Sequence, residues 1–179
     1  MDPSRAHDPY FKSSPGGGHE SIPIGTRVLT DQTVFSPVMV LKESALAHNV
    51  NELSDYCRDE HIRVAPHGKT TMSPELTRAQ LEAGAWAISA ATPSQVRAFW
   101  EFGVPRVFLC NELVDPAGIR WIAEHLVSHP DHEFLCYVDS IRGVQMLESV
   151  LSEVTNSRAL DVLVEVSAPG GRTGARTVP

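Results

Sequence analysis

Residues 86–138 read WAISAATPSQVRAFWEFGVPRVFLCNELVDPAGIRWIAEHLVSHPDHEFLCYV, a stretch in which short apolar runs alternate with amphipathic segments that carry explicit helix starts. Trp86–Ser89, Arg106–Cys110 and Phe134–Val138 are of strand length and lack the polar–apolar alternation of a sheet with one wet face. Both faces of these strands are therefore expected to be buried. Thr92 and Asp115 are each followed at once by proline. That order puts an N-cap residue before a first helical position, where a missing N–H costs nothing. Gln95, three residues after Thr92, completes a capping-box spacing, and Gly103 ends that helix where left-handed backbone is wanted. On the next helix, Ile119, Ile122 and Leu126 form one apolar stripe.

The same grammar extends in both directions. Ile62–Ala65 precedes the quoted stretch and Leu160–Val166 follows it, while Ser73-Pro74 and Gly84 bracket another helix. Further stripes run Leu46, Val50, Leu53 with Tyr56 or Cys57, and Val144, Leu147, Leu151. The five runs from Ile62 onward begin at intervals of roughly 20 to 28 residues, each joined to the next by one helix. This is the pattern of repeated right-handed βα units. No glycine-rich dinucleotide turn follows the first strand, so the expected fold is α/β, the N-terminal part of a TIM-type (β/α)8 barrel. It is expected to be incomplete, since 179 residues fall short of the roughly 250 such a barrel needs. Residues 1–20, rich in Pro, Gly, Ser and charge, are expected to form a disordered tail. Residues 21–42 form an N-terminal segment with a strand at Val38–Leu41, and residues 43–179 the partial barrel.

Composition narrows the function. Fifteen Lys+Arg against 22 Asp+Glu give a formal charge of -7, which argues against nucleic acid or an anionic membrane as partner and for a small-molecule substrate. Cys57, Cys110 and Cys136 are odd in number and widely spaced, as in reduced cytoplasmic protein; they suggest neither a disulfide framework nor a zinc site. No apolar run is long enough for a membrane span or a signal peptide.

Ala65-Pro66-His67-Gly68-Lys69-Thr70-Thr71-Met72-Ser73-Pro74 lies between a strand's C-terminal end and a helix start, where α/β enzymes carry their reactive groups. Gly68-Lys69-Thr70 matches the tail of a phosphate loop, but that motif needs glycine five residues before Gly68, and Arg63 stands there. Lys69 reads either as a solvated loop lysine or as a nucleophile. The second role requires a neutral amine, which partial burial and a neighbouring positive group favour. His67 is placed to help set that field or to hydrogen-bond the loop backbone.

The block from Val38 to Lys69, ending in Pro66-His67-Gly68-Lys69-Thr70, resembles the fold-type III pyridoxal-phosphate enzymes, the alanine racemase-like barrels. Within them it is most similar to the D-threonine aldolase and D-serine dehydratase branch, whose lysine motif has the form Pro-His-x-Lys-Thr. His67–Pro74, Ala83-Gly84-Ala85 and Ala90-Ala91-Thr92 resemble the bacterial amino-acid deaminases of that branch. Val164-Glu165-Val166-Ser167-Ala168-Pro169-Gly170-Gly171-Arg172-Thr173-Gly174 resembles the family segment whose arginine meets the cofactor's phenolic oxygen, a role this carries to Arg172 alone. The resemblance implies pyridoxal 5'-phosphate held as a Schiff base on Lys69, with His67 and Arg172 beside it. It implies an amino-acid substrate and a D-serine ammonia-lyase type of reaction, with D-threonine aldolase or racemase chemistry as alternatives. It also implies a C-terminal β domain that pairs with the Val38–Leu41 strand and in some members binds a divalent metal, and a homodimeric full-length form. A non-catalytic pyridoxal-phosphate carrier and an inactive truncated remnant are the other readings of a chain this short.

Other residues invite less. His125, His129 and His132 surround a helix end without metal-ligand spacing and read as solvated. Trp86, Trp100 and Trp121 read as core. Asn111-Glu112 reads equally as a substrate contact or as a set of loop bonds, and Arg176 as a surface cation. Gly170, Gly171 and Gly174 read first as turn geometry.

Overall fold

The computed structural model describes residues 27, 30, 40–168 and 170–176. Two compact units are distinguished, Met1–Glu52 and Leu53–Pro179. The expected tail 1–20 lies outside the described residues, as does most of the segment 21–42; of the expected strand Val38–Leu41 only Val40 and Leu41 are described.

The elements run α1 (Glu43–Asp59), α2 (Pro74–Glu82), β1 (Ile88–Ala90), α3 (Pro93–Glu101), β2 (Arg106–Glu112), α4 (Pro116–Ser128), β3 (Glu133–Val138), α5 (Ile141–Leu151) and β4 (Asp161–Val164). Local chemistry sets the helix ends. Ser73 Oγ accepts from Leu76 N at 3.3 Å, and Thr92 Oγ1 accepts from Gln95 N at 3.3 Å. The Gln95 side chain reaches back to accept from Ala91 N at 2.8 Å, one residue upstream of the usual capping-box donor. Asp115 takes two N–H groups, those of Ala117 and Gly118. Ser140 caps α5 by accepting from Gly143 N at 3.2 Å, a cap with no following proline to mark it in the sequence. Gly84 and Gly103 have φ of +103° and +84° and close α2 and α3 as paired 6→1 and 5→2 bonds, Ala85 N to Gln80 O with Gly84 N to Leu81 O, and Val104 N to Phe99 O with Gly103 N to Trp100 O. Because Asp115 satisfies two otherwise unpaired donors, Asp115→Ala is expected to lower the unfolding free energy by about 1–2 kcal/mol, read from the denaturant midpoint at constant slope.

The four strands pair in chain order, β1-β2-β3-β4, all parallel. Alternate residues face opposite sides. Ile88, Ala90, Val107, Leu109, Phe134, Cys136 and Val138 point to the helices, where they meet Val96, Phe99, Ile119, Ile122, Leu126 and Leu147 in one buried core. The other face carries Ser89, Phe108, Leu135, Tyr137 and Leu163, the inner lining of a barrel arc.

The expectation of about five parallel strands with both faces buried needs two corrections. Ile62–Ala65 is not a strand of the sheet: only His67 bridges Ser89. A bridge between Ala65 and Ala87 requires an N–H donor at position 66, and Pro66 has none, so Trp86 N turns to Val64 O at 2.8 Å instead. Second, burial on both faces holds at β1 and at Phe108, and elsewhere only the helix face of β2 and β3 is fully buried. The inner face of the four-stranded arc is partly open at Leu135, Tyr137 and Leu163, and β4 is exposed on both faces, with Val162 and Val164 on the helix side 41% and 72% exposed. Among the described residues no helix is long and apolar enough to cross a membrane.

The three histidines expected to be solvated form a stack instead. His125 lies on buried Trp100 at 4.1 Å between centroids and 4° between planes, and its Nε2 is 2.9 Å from His132 Nδ1. His129 stacks on the other side of His125 at 4.0 Å. His125 and His132 are half-buried; His129 remains exposed.

Candidate active site

Lys69 is presented by a short segment fixed at both ends. On its N-terminal side, Ser89 N donates to Pro66 O at 2.8 Å and Gly68 N donates to Ser89 O at 3.0 Å. Gly68 is buried against the core, and a Cβ built there would stand 2.3 Å from Phe99 Cζ. Only glycine permits that approach. On the C-terminal side Met72 N donates to Gly68 O at 2.9 Å, and Met72 itself has φ of +46° while packing against the core. A left-handed non-glycine residue is held there by its surroundings. Ser73 then opens α2.

This places Lys69 at the C-terminal rim of the parallel sheet, and it is exposed. The expected partial burial is absent, because the arc of four strands encloses the rim on one side only. Among the described residues the Lys69 side chain has no hydrogen-bond or ion-pair partner, and neither has the ring of His67, which is also exposed. The expected bond from His67 to the loop backbone is therefore not formed by its ring; the residue's bridge to Ser89 is made by main chain.

Cys110, to which sequence reading gave no role at the site, meets the Lys69 charge, and it in turn neighbours Tyr137 and Glu165. Cys110 is half-buried, two residues beyond Phe108 on the inner face. Burial pushes its thiol pKa up, a hydrogen bond with the Ser89 side chain and the Lys69 charge pull it down, the Glu165 carboxylate adds a further upward push, and the net direction is up. Tyr137 rests edge-on against Phe108, 5.0 Å between centroids, and its hydroxyl is pushed up by burial, then by Cys110 and Glu165. Glu165, just beyond β4, accepts from Thr173 Oγ1 at 2.6 Å.

Arg172 lies in the loop that follows β4. That loop folds back on itself, Ala175 N donating to Glu165 O and Ser167 N to Ala175 O, both at 2.9 Å. Gly174, with φ of +90°, permits the closure, since a Cβ there would stand 3.0 Å from Ser167 N. Arg172 is exposed, and no contact among the described residues joins its guanidinium to Lys69. Chain direction brings the two residues to one rim without bringing them together. Arg176 reaches the carbonyls of Gly171 and Arg172 at 3.5 and 3.3 Å and so braces the loop. Asn111 is engaged locally, with Ala91 O at 3.5 Å and Glu112 N at 3.2 Å.

A cleft of about 260 Å³ opens at the same rim between the β2–α4 loop and the start of α5, lined by Glu112, Val114, Tyr137, Asp139 and Arg142 among others. It shares Tyr137 with the Lys69 neighbourhood. Among the described residues no group of three or more His, Cys, Asp or Glu side chains is arranged to hold a metal ion.

No protein-family profile matches the chain. It is 25% identical to the 3-hydroxy-D-aspartate aldolase of Paracoccus denitrificans over 150 residues, 83% of this chain and 38% of that protein. To the D-threonine aldolase of an Arthrobacter species it is 26% identical over 141 residues, 79% of this chain and 36% of the relative. Among solved structures, D-threonine aldolase from Filomicrobium marinum superposes with a TM-score of 0.72 at 24% identity, covering 80% of this chain and 37% of that one. D-threo-3-hydroxyaspartate dehydratase from Delftia sp. HT23 gives a TM-score of 0.65 at 21% identity, over 79% and 36% of the two chains. The fold is thus part of an alanine racemase-like (β/α) barrel. The chain spans less than two-fifths of the length of the relatives it matches.

Proposed function

We propose, for a chain whose relatives fall in the D-threonine aldolase and D-serine dehydratase-like branch of the fold-type III enzymes, that it is the lysine-bearing part of a pyridoxal-phosphate enzyme acting on a small β-hydroxy D-amino acid. The observation that carries this is Lys69: an amine without a hydrogen-bond or ion-pair partner among the described residues, at the C-terminal rim of the sheet and presented by a segment constrained on both sides. On the neighbouring inner face Tyr137 lies edge-on against Phe108, and Cys110 is close enough to feel the Lys69 charge. Pyridoxal phosphate, when bound, supplies an electron sink for a carbanion at the substrate's α-carbon. The chain's own part is narrower. Lys69 would hold the cofactor through its amine, and the same amine would be the group placed to take or return the substrate's α-proton. Arg172, on the β4 loop, is assigned to the phenolic oxygen. His67, exposed beside Lys69, is assigned to the cofactor's edge.

Loss of hydroxide from D-serine, giving a keto acid and ammonia, is the reaction we assign first. The names of two relatives, both aldolases, support retro-aldol cleavage as a second reading. Products separate the two: ammonia and keto acid for the first, glycine and an aldehyde for the second. A divalent metal would enter only through a C-terminal β domain. A dimeric full-length form and a cytoplasmic location belong to the same proposal.

The link at Lys69 can be tested directly because the chain has only three lysines, Lys12, Lys42 and Lys69. Incubation with pyridoxal phosphate, reduction with borohydride and peptide mass mapping should place one pyridoxyl group on the Lys69 peptide. A label spread evenly over all three lysines would remove the proposal.

A further inference from the structure

We infer that Ser89 is the positioning residue of the Lys69 segment, fastening residues 65–68 to the sheet through its N–H, its C=O and its hydroxyl together. This rests on the reading of Lys69 given above and adds what keeps that lysine in place. Among the described residues, four hydrogen bonds hold residues 64–68 to the chain around β1, and three of them belong to Ser89: its N to Pro66 O at 2.8 Å, its O from Gly68 N at 3.0 Å, and its Oγ to Ala65 O at 2.7 Å. The fourth is Trp86 N to Val64 O. Elsewhere in the sheet a strand is held by a ladder, so losing one bond leaves several. Here Pro66 removes the next donor, and the fastening is concentrated on one residue.

The hydroxyl is the least redundant part of it. Ser89 is 2% exposed, so water cannot replace the bond to Ala65 O without entering the protein. The same hydroxyl meets the Cys110 side chain, which ties the lysine segment to β2 across β1. Ionisation of the Cys110 thiol draws the Ser89 proton from Ala65 O toward the sulfur, which is the sense in which this contact lowers the thiol pKa. Cys110 is thereby a reporter: its thiol is held down both by Ser89 and by the Lys69 charge.

The test compares Ser89→Ala with Ser89→Thr, which keeps the hydroxyl on a strand-favouring side chain. Three readouts are taken on the 179-residue chain: amide hydrogen exchange at Gly68, the pH profile of Cys110 alkylation by iodoacetamide, and the rate of borohydride-trapped pyridoxyl transfer to Lys69. Ser89→Ala is expected to speed Gly68 exchange about tenfold and slow trapping at Lys69 about tenfold. The Cys110 profile should move to higher pH, as it should in Lys69→Met. Ser89→Thr is expected to restore all three. Unchanged Gly68 exchange in Ser89→Ala overturns the inference, and so does exchange that rises equally across the core, which would make the serine a general stability residue. If the wild-type chain takes no label at Lys69, the functional reading fails, while exchange and alkylation still decide the role of Ser89.

Discussion

Replacing Gly68 with valine is expected to cost about 3 kcal/mol of stability and to slow covalent labelling of Lys69 by about two orders of magnitude. The reason is geometric. A Cβ at position 68 would stand 2.3 Å from Phe99 Cζ, 2.7 Å from Phe99 Cε1 and 3.1 Å from Ile88 Cγ2. Phe99 and Ile88 are both 0% exposed, so neither ring nor methyl has open space to move into. Either Phe99 leaves its rotamer and overpacks the α3 side of the core, or the chain at 68 withdraws and breaks the bond from Gly68 N to Ser89 O. The second path moves Lys69 directly. Denaturant midpoints of Gly68→Val, Phe99→Leu and the double variant form a cycle, and the double variant should be more stable than the sum of the single losses predicts. Strict additivity, or a Gly68→Val midpoint equal to wild type, would contradict the close approach.

A second large effect belongs to the histidine stack. Burial first, then the charges of His129 and His132, hold the His125 pKa down to about 4 from an ordinary 6.5. His132 is lowered too, by burial and His129 against an opposing pull from Asp131. Their facing nitrogens, 2.9 Å apart, share one proton, and a second would set N–H against N–H. A folded-state pKa below the unfolded one means that the unfolded chain binds the proton first. Stability is therefore intact above about pH 6.5, falls as pH drops toward 4, and levels off below that as far as His125 is concerned. Since the ring is only half-buried, solvent screening reduces the expected loss to about 2 kcal/mol. His125→Phe preserves the stack on Trp100 and removes the titration. Between pH 7 and 4.5 the wild type should lose about 2 kcal/mol more than this variant, the carboxylates titrating equally in both. Parallel pH profiles would show that the stack tolerates protonation.

What the sequence made legible was what is local. Thr92-Pro93 and Asp115-Pro116 announce caps because donor, acceptor and proline lie within four residues, and the structure forms those bonds. The parallel order of strands was legible for a related reason, since one helix between successive apolar runs leaves little other topology. The Ile62–Ala65 run misled because its strand character is cancelled by a partner's needs: Pro66 matters only when Ala87 lies opposite. The histidines misled in the same way. Metal-ligand spacing was the wrong test for rings whose surroundings are set by Trp100, 25 positions before His125. Near Lys69, the residues that were missed, Ser89, Cys110 and Tyr137, carry no motif. They are recognisable from strand parity only after the register Ser89↔Phe108↔Leu135 is known.

The consecutive strand order also governs how such a sheet is made. Every pairing from β1 to β4 joins a strand to the one just before it in the chain, so each loop to be closed is a single helix long and no strand waits for a distant partner. Assembly can then proceed in the direction of synthesis, each newly emerged βα unit docking on the last. The Val162–Val164 edge has the form of a growing front of that kind at one step: β4 is fastened to β3 behind it, and among the described residues no strand pairs with its other side, where unpaired N–H and C=O groups make a template for strand addition.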